Sequence, residues 1–193
     1  MQVRNSLVVV VAVAVGITSL VGCANRAPRQ TSPPQAPELS AAEALIDAFY
    51  SFDSSRLQTA MASAASSIPR VVFYQGWAQG GDYKVLHRMP CKFESATEIT
   101  CAITVKDDLI GALGIDFNVT DTFHLFLTDN KITKVRNTSN DPKAFNEAAE
   151  WVQQNRQELI REPCRGFFNG GPTPGDCVRA MVRGFQEFAA RAR

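Results

Sequence analysis

The chain has 193 residues, of which 45% are hydrophobic and 20% are charged, and its formal net charge is +1 at pH 7. This hydrophobic content is ordinary for a globular protein and supplies the core of one domain. The balanced charge gives no electrostatic case for binding nucleic acid, so no nucleic-acid partner is predicted.

The first 22 residues have the pattern of an export signal. Arg4 and the amino terminus form a short positive segment, and an apolar run follows from Leu7 to Val15. This run is shorter than the roughly 20 apolar residues that a membrane-spanning helix needs. A cleaved signal peptide that ends before Cys23 is therefore favoured over a permanent span. The alternatives are an ordinary signal peptide followed by a chance cysteine and a buried apolar helix.

The segment Leu20-Val21-Gly22-Cys23 resembles the lipobox of bacterial lipoproteins. The resemblance implies that residues 1–22 are removed, that lipid is attached to the Cys23 thiol and that the new amino terminus is acylated. Several acyl chains anchor durably, because each buried methylene adds about 0.8 kcal/mol. The expected location is a bacterial membrane. In a cell with two membranes, Ala24 rather than Asp after the lipidated cysteine resembles the signal for sorting to the outer membrane.

Residues 23–39 are predicted to be the lipidated cysteine and a disordered tether. The segment ANRAPRQTSPPQAPEL has almost no large apolar residue, so it cannot bury enough surface to offset its ordering entropy. Its prolines favour an extended chain that holds the following domain, residues 40–193, away from the bilayer.

Four of the five cysteines remain after Cys23. An oxidising compartment favours disulfides, and of three pairings the local one is preferred, because Cys91 and Cys101 lie symmetrically about the middle of an apparent hairpin. The predicted pairs are Cys91–Cys101 and Cys164–Cys177. A metal site is the alternative, but the spacing matches no zinc pattern, so neither a metal nor a cofactor is predicted.

The domain is predicted to begin with two helices. Ser40 and Glu43 have the spacing of a capping box for the first helix, and Ser54 or Ser55 can cap the second. The segment Val71–Trp77 is apolar and aromatic, and its pattern does not determine its form.

Alternating residues then predict an antiparallel sheet. The inward side of the first strand is expected to hold Val85, His87, Met89, Cys91 and Phe93. Pairing of Cys91 with Cys101 would place Phe93 opposite Ile99 and Met89 opposite Ile103. A longer strand then presents Ile115, Phe117, Val119, Phe123, Leu125 and Leu127 on one side. It turns at Asp129-Asn130 and returns with a bulge.

Two helices complete the predicted chain, as an extension from about residue 141. Asp141 as N-cap and Pro142 at the first helical position begin one of them. Apolar spacing around Phe185 predicts the other. Helices before and after an antiparallel sheet make an α+β domain.

This order of elements resembles the NTF2-like superfamily, including its SnoaL-like members. The segment FHLFLTDNKITKV is similar to the family's late hairpin, and the resemblance covers roughly Leu39 to Thr138. It implies a strongly curved sheet wrapped by helices into a cone with a cavity at its open end. The two C-terminal helices go beyond the common core.

Asp121 and His87 are the candidate catalytic residues. Both are expected on inward faces, where apolar neighbours would raise the pKa of a carboxyl group. Enzymes resembling ketosteroid isomerases or polyketide cyclases use a pocket acid, sometimes with Tyr or His, to move protons beside a carbonyl. Asp121 with His87, and with Tyr50, Tyr74 or Tyr83 as a further donor, could imitate that set. The alternatives are a bulge that turns Asp121 outward and a core histidine without a catalytic role.

Aromatic residues are predicted to line a ligand pocket, namely Tyr50, Tyr74, Trp77, Tyr83, Phe117 and Phe123, and the cluster at its mouth is Phe73, Tyr74, Trp77 and Tyr83. Such a cavity suits a small hydrophobic ligand, and ordinary core packing is the alternative. No P-loop, HExxH or GxSxG motif is present. The predicted function is therefore a non-catalytic envelope lipoprotein that binds a small hydrophobic ligand or a protein partner. An isomerase-type enzyme using Asp121 is the second hypothesis.

Overall fold

A computed structural model describes residues 36–166 and 175–191. The predicted signal peptide, Cys23 and all but the last residues of the predicted tether lie outside these residues. No helix in the described part of the chain is long and apolar enough to cross a bilayer.

The described residues form seven α-helices, one 3₁₀ segment at Ala62–Ser67 and five strands. The helices are α1 (Pro37–Tyr50), α2 (Ser54–Ala60), α3 (Ile68–Gly80), α4 (Asp108–Leu113), α5 (Lys143–Asn155), α6 (Gln157–Ile160) and α7 (Gly175–Ala190). The strands are β1 (Lys84–Arg88), β2 (Lys92–Ser95), β3 (Glu98–Lys106), β4 (Val119–Thr128) and β5 (Lys131–Ser139).

The first helix starts before the predicted capping box. Pro37 lies in the first turn of α1, where its fixed φ suits a helix and its missing N–H costs nothing. The capping box of Ser40 and Glu43 is wrong, because the Glu43 carboxylate instead pairs with Arg88 and accepts from the Cys91 backbone N–H at 2.6 Å. The last three residues of the predicted tether therefore belong to α1.

Helix α2 is present, but its cap differs from the expected one. The Asp53 carboxylate accepts from the N–H groups of Ser55 and Arg56, so the cap lies one residue before Ser54. The Val71–Trp77 segment, whose form the sequence pattern left open, lies within α3.

The five strands form a curved antiparallel sheet that does not close on itself, in the order β1-β3-β4-β5 with β2 also paired to β3. The predicted pairing of Phe93 with Ile99 is confirmed, and so is a bulge in the late hairpin, between Phe126 and Leu127. The pairing of Met89 with Ile103 is wrong. A register shift in β1 places Arg88 opposite Ile103.

The predicted inward face of the first strand is also wrong. Val85, His87, Met89 and Phe93 are exposed, and only Cys91 of the set is buried. Strands β1 and β2 form the edge beyond β3, and no helix in the described part of the chain packs broadly over them. Alternation alone therefore does not bring these side chains into a core.

The core has two apolar clusters. The inner face of β3, β4 and β5 packs against helices α1 to α3, with Phe49, Phe123 and Leu125 fully buried. The second cluster joins α4 to α7 around Val152 and Phe185. It contains the predicted C-terminal helices, with α6 and α4 in addition.

Helix α5 starts one residue later than predicted. Pro142 occupies the N-cap position, and Asp141 instead accepts from the Ser139 hydroxyl at 3.0 Å. The prediction of Asp141 as the N-cap is therefore wrong.

Both predicted cysteine pairs are at bonding distance. Cys91 and Cys101 have an S–S separation of 2.00 Å, and Cys164 and Cys177 one of 2.10 Å. The first pair ties the residue before β2 to β3, and the second ties the turn after α6 to α7.

Candidate functional site

The centre of the site is the carboxyl group of Asp121, in the middle of β4. Alternation along β4 turns it to the inner face of the sheet with Val119 and Phe123, where it is 0% exposed. One carboxylate oxygen accepts from the Tyr50 hydroxyl at 3.3 Å, and the other accepts from the Tyr74 hydroxyl. Asp121 is thus a buried acid whose two oxygens both have hydrogen-bond donors.

The three tyrosines of the chain all gather around this acid. Tyr50 is the last residue of α1, Tyr74 lies in the middle of α3 and Tyr83 immediately precedes β1. The rings of Tyr74 and Tyr83 are perpendicular, with centroids 6.5 Å apart. Asp121 and these three tyrosines form the tyrosine cluster.

Burial controls the ionisation of the tyrosine cluster. It raises the pKa of Asp121 to about 6, and the negative charge of Asp141 adds to the effect, while the hydrogen bond from Tyr74 opposes it. Burial and the Asp121 charge raise the pKa of each tyrosine hydroxyl above its usual value. The tyrosines therefore stay protonated and act as donors.

Two further acids lie close enough to influence Asp121. Burial raises the pKa of Asp107 to about 6, although its carboxylate accepts from the Ile110 N–H at 2.9 Å and caps α4. Burial also raises the pKa of Asp141. No group of three or more His, Cys, Asp or Glu residues in the described part of the chain could hold a metal ion.

A cleft of about 410 Å³ adjoins the tyrosine cluster, lined by Ser66, Pro69, Arg70, Phe73, Tyr74 and Asn137. Tyr74 is common to both, because it lines the cleft and also donates to Asp121. The cleft lies between the beginning of α3 and strand β5. It offers one aromatic wall, one guanidinium and two neutral polar side chains.

The structure brings together only some of the predicted site residues. Tyr50, Tyr74, Tyr83 and Phe123 surround Asp121 or pack beside it. Trp77 and Phe117 are half-buried against the core and do not line the cleft.

His87 is not brought to Asp121. Its side chain is exposed, with Nε2 3.0 Å from the Met89 sulfur, whereas Asp121 is fully buried on the inner face of the sheet. The cause is the position of β1 at the edge of the sheet, where Val85 and His87 are exposed on either side of the register shift between them.

Sequence reasoning missed Ser66, Arg70 and Asn137. Arg70, Phe73 and Tyr74 stand at positions i, i+3 and i+4, which share one face of a helix. That signal becomes readable only when Val71–Trp77 is assigned as helical, and the sequence pattern did not decide this.

The opposite face of the sheet carries a separate polar chain. His124 Nδ1 lies 2.8 Å from a Glu98 carboxylate oxygen, and its Nε2 lies 3.2 Å from the Thr138 hydroxyl. Since these residues belong to β3, β4 and β5, the contacts tie three strands together on the outer face.

Comparison of the chain with known protein families, curated proteins and solved structures found no match. The α+β class rests on the architecture described above.

Proposed function

We propose that this protein is an exported lipoprotein, anchored to a bacterial membrane through Cys23, whose NTF2-like domain binds a small hydrophobic ligand without catalysing a reaction. The observation that carries the proposal is the cleft beside Tyr74. Its volume of about 410 Å³ falls in the range of roughly 300–1,000 Å³ that is typical of small-molecule sites.

The chemistry of the cleft supports a ligand with an apolar body. Phe73, Tyr74 and Pro69 present aromatic and aliphatic surface, and the polar groups are those of Ser66, Arg70 and Asn137. Apolar walls with a small number of polar groups are what such sites use to combine affinity with orientation. The hydrogen bond from the Tyr74 hydroxyl to Asp121 of β4 fixes the Tyr74 ring against the sheet.

The position of Asp121 favours binding over catalysis. A general base must come within about 2.6–3.2 Å of the proton that it removes. Asp121 is not among the residues that line the cleft, and both of its oxygens already accept from tyrosine hydroxyls. A molecule in the cleft would contact Tyr74, which stands in front of the acid.

Binding of N-phenyl-1-naphthylamine, an uncharged apolar fluorophore, tests this proposal. We expect saturable binding to the wild-type domain and roughly fivefold weaker binding to Phe73→Ala, because part of the aromatic wall is lost. Phe126→Ala is the matched control. Phe126 is also half-buried, but it lies on the outer face beside Lys134. Equal weakening in both variants, or no saturable binding to wild type, would argue against the cleft.

An isomerase-type enzyme is the second candidate, and one observation favours it. A buried carboxyl group with a pKa of about 6 beside two hydroxyl donors has the environment of a proton-transferring acid. Deuterium uptake from D₂O beside the carbonyl of a β,γ-unsaturated ketone distinguishes the candidates. We expect wild type and Asp121→Asn to give the same background uptake. Uptake that the substitution abolishes would establish the enzyme instead.

A further inference from the structure

We infer that the ligand of the cleft carries a carboxylate next to its apolar chain, and that Arg70 binds this carboxylate. The inference rests on the proposed function, because it specifies the chemical class of the ligand of the same cleft. It adds a site residue and an ionic requirement that a purely hydrophobic ligand would not have.

Arg70 is placed to bind one end of an elongated molecule. It lies in the first turn of α3, three residues before Phe73 and four before Tyr74, and all three line the cleft. Residues at this spacing follow one another along the same helix face. The guanidinium is therefore at one end of an aromatic strip.

Arg70 has no ion pair within the part of the chain that the structure describes. By contrast, Arg88 pairs with Glu43 and Asp47, and Arg156 pairs with Glu187. A guanidinium that faces a cleft without an internal acid is available to an anion from outside. Its planar fork matches the two oxygens of a carboxylate.

The remaining lining residues favour an anion over a cation. None of the six lining residues is acidic, and the Ser66 hydroxyl and Asn137 amide can both donate hydrogen bonds. The proton of the Tyr74 hydroxyl is directed toward Asp121, which keeps that acid behind the ring. Because Arg70 is the single charged residue among the described residues of this lining, it balances a ligand with one negative charge.

Isothermal titration with dodecanoate and dodecanol tests the inference, since the two share the alkyl chain and differ in charge. We expect Arg70→Gln to weaken dodecanoate binding roughly tenfold and to leave dodecanol binding unchanged. High salt should weaken only the dodecanoate complex of the wild type. Arg70→Lys, which keeps the charge but loses the planar fork, should fall between wild type and Arg70→Gln.

Arg136→Gln is the matched control for the loss of one positive charge. Arg136 is exposed and precedes Asn137 in the sequence. In the register of β4 and β5 it lies opposite His124, on the outer face of the sheet. We expect it to bind both compounds as wild type does. An Arg70→Gln variant that is folded by circular dichroism and binds dodecanoate at full strength would overturn the inference while leaving the cleft as a ligand site. Failure of wild type to bind either compound would overturn the proposed function as well.

Discussion

The carboxyl group of Asp121 shows how a single acid is accommodated among apolar residues. It shares the inner face of β4 with Phe123 and Leu125 and has no exposed surface. Two tyrosine hydroxyls satisfy its oxygens, as buried polar groups require. The charged form is still disfavoured by burial, which is why the pKa rises to about 6.

This shift predicts a pH dependence of stability. Because the folded pKa of Asp121 is about 6, against an ordinary value of 3.8, the folded state binds more protons than the unfolded state between these two pH values. The free energy of unfolding should therefore fall as pH rises from 4 to 6, by up to about 3 kcal/mol for this group. Burial makes Asp107 act in the same direction.

Asp121→Asn should remove the Asp121 share of that fall. Urea unfolding at pH 4, 5, 6 and 7 measures the free energy of unfolding of both proteins. That of Asp121→Asn should fall less with rising pH than that of wild type, so the variant gains stability relative to wild type as pH rises. Asp129→Asn is the control, because Asp129 is exposed in the turn between β4 and β5 and has a positive φ of 49°, which asparagine tolerates. Parallel profiles for wild type and Asp121→Asn would contradict the assignment.

At the level of elements, the contact between α5 and α7 depends on a glycine. A Cβ at Gly184 would lie 2.5 Å from a Val152 methyl carbon, closer than carbon atoms pack. The absence of a side chain therefore allows the two helices to approach, and Phe185 of α7 is fully buried beside Phe145 of α5.

Gly184→Ala should lower the free energy of unfolding by about 1–3 kcal/mol, because the helices must separate or Val152 must shift. Gly111→Ala is the matched control in α4, where a Cβ would meet nothing within 4 Å. It should be neutral or stabilising by up to about 1 kcal/mol, since alanine favours a helix over glycine. Chemical denaturation measures both. Equal effects of the two substitutions would rule out the close approach as the cause.

The edge of the sheet is an element with a different construction. Strands β1 and β2 expose Leu86 and Phe93, which are 53% and 44% accessible, instead of burying them under a helix. The Cys91–Cys101 pair ties this edge to β3, and Arg88 ties it to α1 through Glu43 and Asp47. A disulfide typically contributes about 2–4 kcal/mol, so the edge is held by covalent and ionic links more than by apolar packing.

In the molecule as a whole, each apolar cluster has its own cysteine pair. Cys91–Cys101 belongs to the cluster under the sheet, and Cys164–Cys177 belongs to the cluster of C-terminal helices. Trp77 packs against both clusters. Two such pairs suit a protein of an oxidising compartment, in agreement with the proposed export.

The proposed anchor predicts a specific mass. Intact-mass spectrometry of protein purified from membranes should show loss of residues 1–22 and gain of acyl chains, and Cys23→Ala should lose the acyl mass and leave the membrane fraction. The spectrum before and after reduction should differ by the mass of the four hydrogen atoms that a thiol reductant adds to two disulfides. An unlipidated, full-length wild-type chain would contradict export and anchoring together.

Local pattern in the sequence predicted the α+β class, four of the seven described helices and the late hairpin with its bulge, but it left open whether Asp121 points inward. These features follow from periodicity and from turn residues, which act over a few positions along the chain. Only the tertiary structure decided that the chain's three tyrosines meet at Asp121, that His87 is exposed and that Arg70 faces a cleft with Asn137. Those relations depend on which strand lies at the edge and on how the helices pack against the sheet, and contacts between distant segments set both.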